Sequence, residues 1–226
     1  MDFLKKFIKL MKHEPKQRRP KRYAWTVDES KCLSINEVNK LRTFSKQLKA
    51  EGLSQRRFSL VRNWFMVELG LKTGLRVEEM ASLKHVNLFL DGPKSSIVVL
   101  GKGNKKRSVW INSKFKQTCQ TYLKYKMDFG YSTDDMSYLL NNLRGDKISK
   151  RALQKFFKEI IANAGLPIRY YIHCLRHTYS TFLLKASNHN YKFVQNQLGH
   201  ASIKTTQVYA SVIESEGKKA LEKLYR

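Results

Sequence analysis

The chain has 226 residues, 42% hydrophobic and 12% aromatic, enough for one packed domain with an arm and too apolar for global disorder. Forty-four Lys and Arg against 18 Asp and Glu leave a net charge of +26, which implies a polyanionic partner but specifies no fold. Cys32, Cys119 and Cys174 form no CxxC pair, so neither a disulfide framework nor a zinc knuckle is expected, and no apolar run reaches the roughly 18 residues that span a bilayer. These features predict a cytoplasmic protein with reduced thiols that binds nucleic acid, not membrane.

Residues 1–12 place Phe3, Leu4, Phe7, Ile8 and Met11 on one helical stripe with lysines opposite, the pattern of a short docking helix or a membrane-surface helix. The segment from Pro15 to Arg22 holds two prolines and five basic residues and cannot continue that helix. It is either a solvated tail or a strip along a phosphate backbone, so residues 1–29 are read as a basic arm or linker. A single domain then runs over 30–226, with a tail helix over 213–226.

Ser34 and Glu37 form a capping-box pattern that starts a helix running from Ile35 to about Ala50. Phe58, Val61, Trp64, Phe65 and Leu69 lie at helical spacing in a second helix ending at Gly74, and this stripe is core, not a base-stacking surface. A third helix starts near Arg76 or Val77 and runs through Leu83. Residues 97–100 and 109–111 read as two short strands joined by the Gly101-Lys-Gly-Asn104 turn. Helices follow over about 112–127, 149–163, 175–186, 191–198, 202–211 and 214–225. The predicted fold is therefore mainly α with a small antiparallel β-sheet.

Taken singly, the candidate functional residues are weak signals. Arg76 is one of many cations, Tyr209 one of 11 tyrosines, and His200 after Leu198-Gly199 could merely cap a helix end. Their order is more informative: Arg76, Glu79, Lys102, His173, Arg176, His200 and Tyr209. Thr73-Gly-Leu-Arg76, the glycine-flanked Lys102, His173-Cys-Leu-Arg176 and Leu198-Gly-His200 with Tyr209 nine residues on resemble the motifs of the tyrosine recombinase (phage integrase) family, over roughly residues 33–212.

That resemblance implies the family's catalytic-domain fold and site-specific DNA cleavage and rejoining through a 3′-phosphotyrosyl intermediate on Tyr209. Tyrosine is a poor nucleophile at neutral pH, because its unperturbed pKa is about 10. The resemblance assigns the phenolic proton to His173, leaving-group protonation to Lys102 (with Lys105 as its rival), and a phosphate hydrogen bond to His200. Arg76 and Arg176 would hold the non-bridging oxygens, where a guanidinium fork stays charged throughout. Glu79 would orient Arg76 or a histidine, and His177 would take a buried orienting place. Lys105, Lys106 and Arg107 are expected on the DNA backbone, while His13, His85 and His189 are expected at the surface.

No cofactor and no metal are expected, since the chain has neither a Walker A motif nor a carboxylate or His/Cys metal pattern. The implied partners are double-stranded DNA and three further copies in a tetramer on paired sites, joined by the tail after Tyr209. Only a short segment precedes Ser34, where most of the family carries a core-binding domain. The chain is read either as a natural minimal enzyme or as a fragment. A type IB topoisomerase, a catalytically silent DNA-binding regulator and a nucleic-acid packaging protein are the alternatives.

Overall fold

The computed structural model describes residues 31–92, 94–100 and 106–199. The basic arm, the turn with Lys102 and Lys105, and everything from His200 onward, including Tyr209 and the two helices expected there, lie outside the described residues.

The first helix, α1 (Ile35–Ser54), begins as expected. Glu37 N–H donates to Ser34 Oγ, and Ser34 N–H donates back to Glu37 Oε2 at 2.8 Å. It runs one turn further than predicted. The second, α2 (Phe58–Thr73), is buried on almost every side, its polar Arg62, Asn63 and Glu68 included. It packs against α1 and against α4 (Ser113–Asp128), α5 (Lys150–Asn163) and α6 (His173–Ala186). The predicted aromatic stripe is core: Phe65 stacks on Tyr122 with centroids 3.9 Å apart, and both rings are fully buried.

Between α2 and α4 lie the short helix α3 (Val77–Ser82), a 3₁₀ turn (His85–Asn87) and a sheet. The sheet has three antiparallel strands in the order β1 (Leu88–Phe89), β2 (Ser96–Leu100) and β3 (Lys106–Trp110). The sequence showed two of these, because β1 is only two residues long. Pairing of Ile97 with Val109 and Val99 with Arg107 turns Ile97, Val99 and Val109 to the core. The last helix among the described residues, α7 (Tyr191–Leu198), packs against β3 and α6.

His85, expected at the surface, is buried. Its Nε2 lies 2.8 Å from Nζ of Lys126, itself 1% exposed, and Lys126 also donates to Tyr138 O. The reason is the irregular segment after α4, which returns to pair Tyr138 with Lys84 and covers both side chains. Burial and then the neighbouring Lys126 charge lower the His85 pKa to about 4, and burial lowers that of Lys126 to about 8.

Candidate catalytic site

The first arginine motif sits in a tight corner. Thr73 Oγ1 donates to Leu69 O and closes α2, and Gly74 follows in the left-handed region at φ 60°. A Cβ at Gly74 would lie 2.4 Å from Tyr179 Cδ1 and 3.0 Å from Leu198 Cδ2, so only glycine fits the corner. The chain then turns into α3 with Arg76 as its N-cap residue and Glu79 in its first turn. Glu79 grips Arg76 at two places, accepting from the backbone N–H at 2.8 Å and from Nη1 at 3.0 Å. Arg76 keeps 39% of its side chain exposed beside a cleft of about 660 Å³, lined also by Ser82, Val98 and Leu100.

The second motif opens α6. Arg176 is buried, with Nη1 donating to Gly74 O at 2.6 Å and Nη2 to Leu198 O at 2.9 Å. One guanidinium thus joins the corner before Arg76 to the C-terminal end of α7, from which the chain proceeds to His200. His173, one turn before Arg176, faces solvent at the start of α6. Partial burial lowers its pKa, the charges of Arg176 and Arg76 add to that, and Glu79 opposes them. The shift favours the neutral ring, the form that can accept a proton. His177 stands edge-on to His173, with centroids 6.1 Å apart, and burial above all, together with the nearby cationic groups such as Arg176, lowers its pKa to about 4.

Arg107 was expected on the DNA backbone, but its fork is engaged inside the protein. Nη1 and Nη2 donate to the two oxygens of Glu79 at 2.7 and 2.9 Å, Nε donates to Gln197 O at 3.4 Å, and the side chain is 12% exposed. Strand parity is the reason: Arg107 lies on the same face of β3 as the buried Val109, while Lys106 points out and stays exposed. Burial pushes the Glu79 pKa up, yet the hydrogen bonds and charge of Arg107, with Arg76, prevail and hold it below the usual carboxylate range.

Arg76, Glu79, His173, Arg176 and His177 are thus brought to one place from α3 and α6. Lys102, Lys105, His200 and Tyr209 lie outside the described residues. Sequence reasoning missed Arg107 as a partner of Glu79, and missed Gln197, whose Oε1 accepts from Trp110 N–H at 3.0 Å and whose Nε2 donates to Trp110 O, tying α7 to β3. The inward parity with Val109 was the available signal for Arg107.

This mostly helical fold, with its small sheet and an arginine–glutamate–histidine cluster at two helix starts, is that of a tyrosine recombinase catalytic domain. The chain matches the phage integrase family over residues 31–216 and belongs to it. It is 32% identical over 164 residues to tyrosine recombinase XerC of Caldanaerobacter subterraneus subsp. tengcongensis, covering 72% of this chain and 44% of the relative. The XerC of Leptospira interrogans serovar copenhageni is 32% identical over 196 residues, covering 87% and 58%. The XerH site-specific recombinase, solved in a post-cleavage complex with palindromic difH substrate, superposes with a TM-score of 0.68 at 26% identity, covering 84% of this chain and 52% of that one. The XerA recombinase gives the same TM-score and identity, covering 86% and 65%. The chain spans about half the length of the curated relatives it matches.

Proposed function

We propose that this chain breaks and rejoins double-stranded DNA at specific sites, with Tyr209 as the nucleophile. The observation that carries the reading is the Arg176 bridge. By holding Gly74 O and Leu198 O together, it brings the corner before Arg76, the start of α6 with His173, and the approach to His200 into one site. The guanidinium of Arg76, 39% exposed at the cleft, suits a phosphodiester passing through a pentacoordinate transition state, where charge grows on the non-bridging oxygens. Arg176, expected on the phosphate but buried with Nη1 and Nη2 on two carbonyls, holds the corner that presents it.

In the proposed step the Tyr209 phenolic oxygen attacks phosphorus, a 3′-phosphotyrosyl bond forms and the bond to the 5′ oxygen breaks. His173, whose pKa its surroundings lower, takes the phenolic proton, and Lys102 supplies one to the departing 5′ oxygen. His200 donates to a phosphate oxygen. Attack by a 5′-hydroxyl reverses the step, and because one phosphodiester replaces another, rejoining requires no nucleotide. Among the described tyrosines, Tyr179 lies nearest the corner, but burial raises its pKa to about 12 and its ring is wedged against Gly74. It is unsuited to attack.

The assembly reading follows from an apolar groove of about 520 Å³ between α1, α6 and α7. Its rim carries Ile35, Trp110 and Phe193 at 59%, 48% and 38% exposure. The sequence after Tyr209 offers Val212, Ile213, Ala220, Leu221 and Leu224 as anchors. We assign this groove to the tail of a neighbouring copy in a tetramer on paired sites.

The test incubates the protein and Tyr209→Phe with labelled duplexes from the flanks of its gene, nicked near candidate sites so that a released fragment traps any adduct. An SDS-resistant adduct with the wild-type protein and none with the variant is expected. An adduct retained by Tyr209→Phe would assign the chemistry to another tyrosine. Tight binding of the same DNA without any adduct would point to a regulator instead.

A further inference from the structure

Glu79 receives donors from two arginines, and the two contacts are unequal. Arg107 takes both carboxylate oxygens as a parallel fork at 2.7 and 2.9 Å, whereas Arg76 gives its side chain to one oxygen only, through Nη1 at 3.0 Å. Among the described residues Arg76 makes no other side-chain hydrogen bond, and it is the more exposed of the two, 39% against 12%. One carboxylate between two guanidinium groups leaves one positive charge uncompensated, and the geometry leaves it on the arginine that faces the cleft. The same Arg107 also reaches the other side of the site. Its Nε donates to Gln197 O in the last turn of α7, and Gly199, at φ 63°, lies flat on its side chain. A Cβ at Gly199 would come within 2.5 Å of Arg107 Cδ and 2.8 Å of Nε.

We infer that Arg107 is a positioning residue for the phosphate site: it occupies the Glu79 carboxylate so that Arg76 keeps its fork for the phosphate, and it fixes the backbone of Gly199 immediately before His200. The inference rests on the proposed cleavage reaction for its kinetic consequence, and on geometry alone for the division of Glu79. Without Arg107, the ionised carboxylate would draw both Nη groups of Arg76 onto itself. The free end of a bidentate pair is thereby lost to the substrate, although no group touching the phosphate has been removed. A lysine at 107 could neutralise the charge through a single contact, but could not span both oxygens and Gln197 O together.

Two arms test this on the full chain. The first measures single-turnover adduct formation on nicked duplex, with DNA affinity measured separately. Arg107→Met is expected to slow adduct formation at saturating DNA by roughly 100-fold, the scale at which misplacement of a reacting group is felt. DNA affinity stays within about threefold of wild type, because Arg107 lies off the binding surface on an inward strand face. Arg107→Lys falls between the two and covers the case in which the methionine variant folds poorly. Adding Glu79→Gln to Arg107→Met is expected to raise the rate above that of Arg107→Met alone, since the charge that captures Arg76 is gone. A merely structural role predicts no such recovery, and a double variant no faster than Arg107→Met would overturn the inference.

The second arm needs no DNA. Arginine side-chain NMR of the free protein reads rotation about the Arg76 Nε–Cζ bond, expected to slow in Arg107→Met as Arg76 takes both Glu79 oxygens. Unchanged rotation would overturn the division of Glu79. Absence of any wild-type adduct would count against the cleavage reading, and this second arm would still decide the role of Arg107.

Discussion

Arg176 is held by two carbonyl oxygens that belong to different parts of the chain, Gly74 O and Leu198 O, and only a planar fork reaches both. Arg176→Lys keeps the charge and loses the span. It is expected to leave one buried carbonyl without its donor at a cost of about 1–3 kcal/mol, read as a lowered urea midpoint, and to abolish adduct formation. Two histidines of lowered pKa, buried His85 and half-buried His177, set a second residue-scale expectation. His85 and His177 have pKa values lowered to about 4 from 6.5, so between those limits the unfolded chain binds more protons than the folded one. Their contribution to stability is complete above about pH 6.5 and is lost as pH falls toward 4. Urea midpoints measured across this window should rise with pH, and His85→Gln should make the rise shallower. The motif residues Arg76, Glu79, His173 and Arg176 were legible because each stands in a distinctive local run. Arg107 was not, because one arginine in Lys105-Lys-Arg107 looks like its neighbours until strand parity turns it inward.

At the scale of elements, the contact between α2 and α6 carries the site. Gly70 lets the helices approach so closely that a Cβ there would lie 2.5 Å from Leu175 Cδ1 and 3.1 Å from Leu175 Cβ. Gly70→Ala is expected to destabilise the fold by about 1–3 kcal/mol through overpacking, although alanine is the better helix former. Because Leu175 adjoins Arg176 and lies two residues after His173, adduct formation should fall along with the urea midpoint. The helices were readable from apolar periodicity and the Ser34 capping box, and the structure adds Asn112, Ser149 and Asn190 as further caps that accept from the first turn of their helix. The start of α6 was placed two residues late, since Ile172 offers no side-chain cap. Strand β1 and the pairing of Lys84 with Tyr138 escaped notice because residues so few carry no alternation to detect.

For the whole molecule, the groove between α1, α6 and α7 makes assembly testable. Deleting residues 213–226 removes the tail's apolar anchors beyond Val212, and is expected to leave single-site DNA binding within about threefold while abolishing the paired-site complex in native gels. Loss of single-site binding to the same extent would assign the tail to its own domain. No helix among the described residues is long and apolar enough to cross a membrane, and the net charge of +26 already directed attention to a polyanion. The sequence by itself determined the fold class and the family and proposed the residue types of the candidate site, because periodicity, caps and ordered motifs are local properties of the chain. Tertiary structure alone decided which partners those residues have: that Arg176 joins Gly74 to Leu198, that Glu79 belongs more to Arg107 than to Arg76, and that His85 is buried against Lys126. Those pairings depend on the approach of elements far apart in sequence, and on side-chain directions that only a packed core fixes.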